Sequence, residues 1–136
     1  MKEYGKKAGE LFGSGYNCAQ SVAGAFAEDF GASIDMVANI ASSFGGGIAG
    51  RREMCGAVSG MLIALGLAKG DYDKSSPEAK QEHYALCRKA MEMFEEKLGT
   101  LICSKRLEMN KMGENNVYTC REVCEVAADV VAEIIG

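Results

Sequence analysis

The chain has 136 residues, with 15 Lys and Arg against 19 Asp and Glu, a formal charge of -4, and a pI near 5.1. That length fits a single domain over residues 1–136, with a core large enough to stand without disulfides. The cations are scattered singly or in pairs, which leaves no basic stripe for nucleic acid and no polybasic membrane patch.

The start, Met1-Lys-Glu-Tyr-Gly-Lys-Lys, is charged where a signal peptide needs an apolar stretch, so the expected location is cytoplasmic. A first helix is predicted from Lys2 to Leu11, closing at Gly13-Ser14-Gly15. Asn17 with Gln20 three residues on reads as a capping box. The helix it opens presents Cys18, Val22, Phe26 and Phe30 on one face, towards the core. Ser33 caps a shorter helix reaching about Phe44, where Gly45-Gly46-Gly47 breaks regular structure.

The segment from Gly45 to Met54 joins backbone freedom to two cations, Arg51 and Arg52, just before Cys55. Such a loop approaches a cofactor or a sulfur site closely. The uncharged run Met54 to Ala68 falls short of the roughly 20 residues a spanning helix needs, and is read as a buried core helix. Gly56, Gly60 and Ala64 recur every fourth residue there, a small-residue face for tight helix packing. Gly70 to Ser75 is a polar connection, and Ser76-Pro77-Glu78 opens the next helix with a cap, a first-turn proline and an acid. Its apolar stripe runs Tyr84, Cys87, Met91, Phe94 and Leu98 before Gly99 stops it. Thr100 is placed to cap a short helix with Cys103 in its first turn. A polar linker at Gly113 to Asn116 follows, and Thr119-Cys120-Arg121-Glu122 forms a second capping box. The last helix buries Val123 or Cys124, then Ala127, Val131 and Ile134. No stretch alternates as a half-buried strand does, so the fold is all-α, a bundle of about six helices without repeat or second domain.

Cys18, Cys55, Cys103 and Cys120 thus share one placement, the first turn of a helix. Unpaired N–H groups and the positive end of the helix dipole favour thiolate there. Six cysteines in a reducing compartment point to metal ligation or redox work rather than to a disulfide framework. Each taken alone is better read as a small buried hydrophobe. Cys87 belongs to an apolar stripe and reads as packing, Cys124 likewise, and His83 as a helix histidine near solvent. Cys120 and Cys124, four apart on a helix, stand too far apart for a disulfide with each other.

The spaced set Tyr16-Asn17-Cys18-Ala19-Gln20, then Phe44-Gly45-Gly46-Gly47 leading to Cys55-Gly56-Ala57-Val58-Ser59-Gly60, then Ile102-Cys103 and Cys120, resembles the C_GCAxxG_C_C family of small redox-active proteins over nearly the whole chain. The core reads Cys-Gly-Ala here where the family name has Gly-Cys-Ala, so the set rather than the hexapeptide carries the likeness. The resemblance implies an all-helical protein, a bacterial or archaeal source, a redox role and a relation to a domain of split-Soret cytochromes. It places the signature on Cys18, Cys55, Cys103 and Cys120. The Cys-x-x-Cys-His of covalent haem attachment is absent.

A four-thiolate set suits a two-iron cluster or a tetrahedral zinc, and electron transfer to an unspecified redox partner protein is the use expected of it. Gly46, Gly47, Arg51 and Gly56 are the accompanying cofactor-binding candidates. The alternative is a dithiol/disulfide enzyme or sensor, with Cys55 and Cys103 as catalytic candidates and Cys55 activated by its helix start and by Arg51-Arg52. A third reading is a helical interaction module whose glycine face serves a homodimer.

Overall fold

The computed structural model describes residues 3–113 and 118–136. These form seven α-helices: α1 (Tyr4–Gly13), α2 (Cys18–Ala27), α3 (Ile34–Ala41), α4 (Gly56–Lys69), α5 (Pro77–Leu98), α6 (Cys103–Met112) and α7 (Cys120–Ile135). Single 3-10 turns, Glu28–Phe30 and Ser42–Phe44, extend α2 and α3. Among the described residues there is no sheet, and no helix is long and apolar enough to cross a membrane.

The predicted caps set the starts of four helices. Asn17 Oδ1 accepts the Gln20 amide at 2.8 Å and Gln20 Oε1 accepts that of Asn17 at 2.9 Å. Thr119 and Glu122 make the same reciprocal pair at 3.2 and 3.0 Å. Ser33 and Ser76 each accept one first-turn amide, and Gly99 closes α5 with φ 87°. Of the linker expected over Gly113 to Asn116, Gly113 is seen as the left-handed C-cap of α6. The remainder lies outside the described residues, as does Lys2.

α2 is central, packed against α1, α3, α4 and α7, while α5 lies across α4 and α7. The core joins Val22 and Phe26 to Val58, Met61 and Leu65, Phe94 and Leu98, and Val123, Cys124, Ala127 and Val131. Each of the larger fully buried side chains contributes about 1.5–3 kcal/mol. The small-residue face of α4 is used inside the molecule. A Cβ on Gly60 would stand 2.6 Å from the Ala19 carbonyl oxygen, and one on Gly56 would stand 3.1 Å from Cys18 Cβ. That face is therefore covered by α2 and is not free for a second copy.

Three sequence expectations need correction. Phe30 is 38% exposed rather than core-facing, because α2 tightens into a 3-10 turn after Ala27 and the changed period carries it off the buried stripe. Tyr84 is 46% exposed, because α5 fully buries only Ala90, Phe94 and Leu98 and its first half reaches the core through Leu86 and Cys87 instead. Thr100 does not cap α6. Its hydroxyl accepts the Ile102 amide at 3.1 Å, one residue too early, because 101–103 are drawn into backbone pairing with the loop before α4.

Candidate functional site

That pairing brings two cysteines near one another across its diagonal. Met54 and Ile102 form an isolated antiparallel bridge, Cys55 N–H donates to Leu101 O at 2.8 Å, and Cys103 N–H donates to Glu53 O at 2.7 Å. Cys55 becomes the N-cap residue of α4 and Cys103 the first residue of α6. On the other side, the glycine at 56 lets the start of α4 close on the start of α2, bringing Cys18 towards Cys55. The packing of α7 on α2 adds Cys120, whose thiol is hydrogen-bonded with that of Cys18.

The four cysteines predicted at helix starts thus occupy helix starts and meet in space. Two residues that the sequence reading did not place there join them. Cys124, one turn after Cys120 and fully buried, points its thiol at the Cys18 carbonyl (3.9 Å) and also meets the Cys18 thiol. Arg106, only 3% exposed, reaches Cys120 Sγ with Nη2 at 3.4 Å and Tyr118 O with Nη1 at 3.3 Å. Its Nε–H is buried without a partner. Arg106 lies three residues after Cys103, on the same helix face, but an i,i+3 spacing on a short polar helix does not by itself single it out.

The glycine loop supplies a second cation. Gly46 and Gly47 have φ 64° and 76°, and Ile48, Ala49 and Arg52 also lie in the left-handed region. A Cβ on Gly47 would strike Arg52 Cα at 2.7 Å, so the turn requires glycine there. Arg52, at φ 60°, sends Nη1 to Cys103 Sγ at 3.8 Å, and its carbonyl accepts the Ser104 amide at 3.1 Å. Backbone strain is held at three non-glycine residues here, Ile48, Ala49 and Arg52, the last of which faces Cys103. Arg51 instead pairs with Glu53 at 2.8 Å on the surface. Cys87 and His83 lie apart on α5, with Sγ 3.6 Å from Nε2.

Electrostatics overturn one expectation. Cys55 was expected to be activated, yet its pKa is raised: burial is the dominant cause, opposed by the amides of Ala57 and Val58 and by Arg106. Cys18 is lowered by its hydrogen bond with Cys120, but Cys124, burial and the nearby sulfur of Cys55 outweigh this and push it up to about 12. Cys120 is raised by Cys18 and by burial, with Arg106 pulling the other way. For Arg106, burial disfavours the charge, while Cys120, Cys55 and Cys103 more than restore it and leave its pKa raised. At neutral pH these three are thiols beside a permanent cation.

Among the described residues, no three Cys, His, Asp or Glu side chains gather about one point as ligands of a single ion. As they stand, the described side chains do not close into a ready-made metal site. Cys120, Cys55 and Cys103 lie near the buried Arg106 cation, whose Nε–H is still without an acceptor.

Fold and site together define a small all-α protein with cysteines gathered at its helix starts. Over residues 16–134 the chain matches the family described as "Putative redox-active protein (C_GCAxxG_C_C)", and it belongs to that family. No curated protein and no solved structure matches it.

Proposed function

We propose that the protein is an electron carrier in which Cys18, Cys55, Cys103 and Cys120 hold a two-iron, two-sulfide cluster. The observation that carries this reading is the buried Nε–H of Arg106, which lacks an acceptor in the midst of the thiols. An unmet buried donor costs about 1–3 kcal/mol, and a bridging sulfide or ligated thiolate would meet it. The grouping of the thiols supports the same reading, since Cys18 meets Cys120 and Cys55 lies near Cys103, and these four cysteines would supply the thiolates such a cluster needs. When bound, such a cluster supplies a centre that gains and loses one electron.

The chain's own residues have distinct tasks in this reading. Arg106 and Arg52 offset the negative charge of the ligated sulfurs and donate N–H groups to them, which favours the reduced state. Gly56 permits the approach of α4 to α2, and Gly46 and Gly47 shape the turn that aims Arg52. The raised thiol pKa values are compatible with this use, because the metal displaces the protons and ligation is then the route by which these sulfurs become anionic.

Dithiol/disulfide chemistry with Cys55 reactive and Cys103 its partner has in its favour their proximity, and against it the burial that keeps Cys55 protonated. The deciding experiment is anaerobic reconstitution with ferrous iron and sulfide. About two irons per chain and visible charge-transfer absorbance are expected, lost on Cys→Ser replacement at each of the four positions and kept in Cys87→Ser. A colourless protein that takes up no iron, or one whose iron survives all four replacements, overturns the reading.

A further inference from the structure

Cys124 lies outside the four-cysteine signature, yet it is the most deeply buried thiol of the site at 0% exposure and is directed at Cys18. Cys18 thus faces two sulfurs one turn apart on α7, those of Cys120 and Cys124. The two are not equivalent. Cys120 is engaged by Arg106 Nη2, and that guanidinium is in turn anchored to Tyr118 O. Cys124 donates to the Cys18 carbonyl at 3.9 Å and meets the Cys18 thiol, and moving its sulfur disturbs no charged group.

We propose that Cys124 is a fifth functional thiol which, in the cluster-free protein, forms a disulfide with Cys18 on oxidation by a hydroperoxide and leaves Cys120 as a free thiol held by Arg106. The inference rests on the cluster reading only for what it says of the cluster-free state. Cys18, partly accessible where Cys124 is not, reacts first. The Cys18 thiol sulfur attacks a peroxide oxygen, the O–O bond breaks, and the thiol proton leaves with the departing oxygen as water, giving a sulfenic acid. The Cys124 sulfur then attacks Cys18 sulfur, the S–O bond breaks, and a second water departs. Two thiols have lost two electrons and two protons, and one hydrogen peroxide has become two waters. The product occupies the sulfur of one cluster ligand and protects it from further oxidation, while a thiol reductant restores both partners.

The linkage can be read directly, because cleavage after Arg121 separates Cys120 from Cys124. Full-length protein freed of iron by chelation is treated with hydrogen peroxide, alkylated, digested and mapped by mass spectrometry. The expected map joins Cys18 to Cys124 with Cys120 alkylated. Cys120→Ser keeps the link and Cys124→Ser loses it. A Cys18 to Cys120 link, or Cys18 accumulating as sulfinic acid with Cys124 still reduced, overturns the proposal, and the wild-type map alone decides should either variant fail to fold. Failure of iron uptake with the link present would sink the cluster reading and not this one; iron uptake without the link would do the reverse.

Discussion

Burying a guanidinium costs several kcal/mol unless its surroundings answer the charge, and Arg106 has been given sulfur and a peptide carbonyl rather than a carboxylate. The consequence is a test of what it does to its neighbours. Arg106 lowers the pKa of Cys120 against the upward push of Cys18 and burial. Arg106→Leu removes that pull, so cluster-free Cys120 is expected to alkylate more slowly at a fixed pH near 8, by about tenfold for each unit its pKa rises. Arg106→Lys, which keeps a point charge and loses the fork, should fall between. An unchanged rate in Arg106→Leu, with helix content retained by circular dichroism, would show that the guanidinium does not act on that sulfur. The four cysteines were legible because each follows a cap or a break that sequence displays. Arg106 was not, since an arginine on a short polar helix reads as a solvated residue until the helix is seen docked, and Cys124 reads as core because it is core as well.

Helix starts are the elements on which the site is built, and their positions depend on how closely backbones approach. Alanine is the better helix former than glycine by about 1 kcal/mol, so on propensity alone Gly56→Ala at the first position of α4 should stabilise. Sterics decide otherwise. The new methyl would lie 3.1 Å from both Cys18 Cβ and Phe44 O, and the second of these is backbone that yields little. The expected result is a loss of about 1–3 kcal/mol in chemical denaturation, together with weaker iron retention as α4 and α2 are prised apart. Equal or greater stability would mean that the approach of these two helices is looser than the geometry states. At this scale the sequence spoke clearly wherever a local interaction fixes an element: Asn17, Ser33, Ser76 and Thr119 cap as their chemistry dictates. It misled at Phe30, Tyr84 and Thr100, where a 3-10 turn, a helix that reaches the core through other residues and a long-range backbone bridge override local preference. The bridge between Met54 and Ile102 joins residues 48 positions apart with no sheet around it, and no periodicity announces such a pairing.

Over the whole molecule, convergence of the four signature thiols is a product of tertiary packing, since no Cys-x-x-Cys knuckle holds any two of them locally. The protein must therefore spend folding energy to crowd buried thiols together, and pH reveals how much. Cys18 titrates near 9.0 when unfolded and at about 12 in the fold, and Cys55 and Cys120 are raised as well. Between those two values the unfolded chain has released a proton that the native one retains, so stability is complete below about pH 9 and declines as pH rises towards the folded value, by at most about 1.4 kcal/mol per pH unit for each such thiol. Denaturant unfolding of the cluster-free protein from pH 8 to pH 10.5 should show that decline, with a shallower slope in Cys18→Ser. Cluster-loaded protein should behave oppositely. Its ligated sulfurs carry no proton to lose, and protons compete with iron instead, so its advantage over the cluster-free form should grow with pH and shrink under acid. Parallel pH profiles for the two forms would mean that these sulfurs are not the ligands.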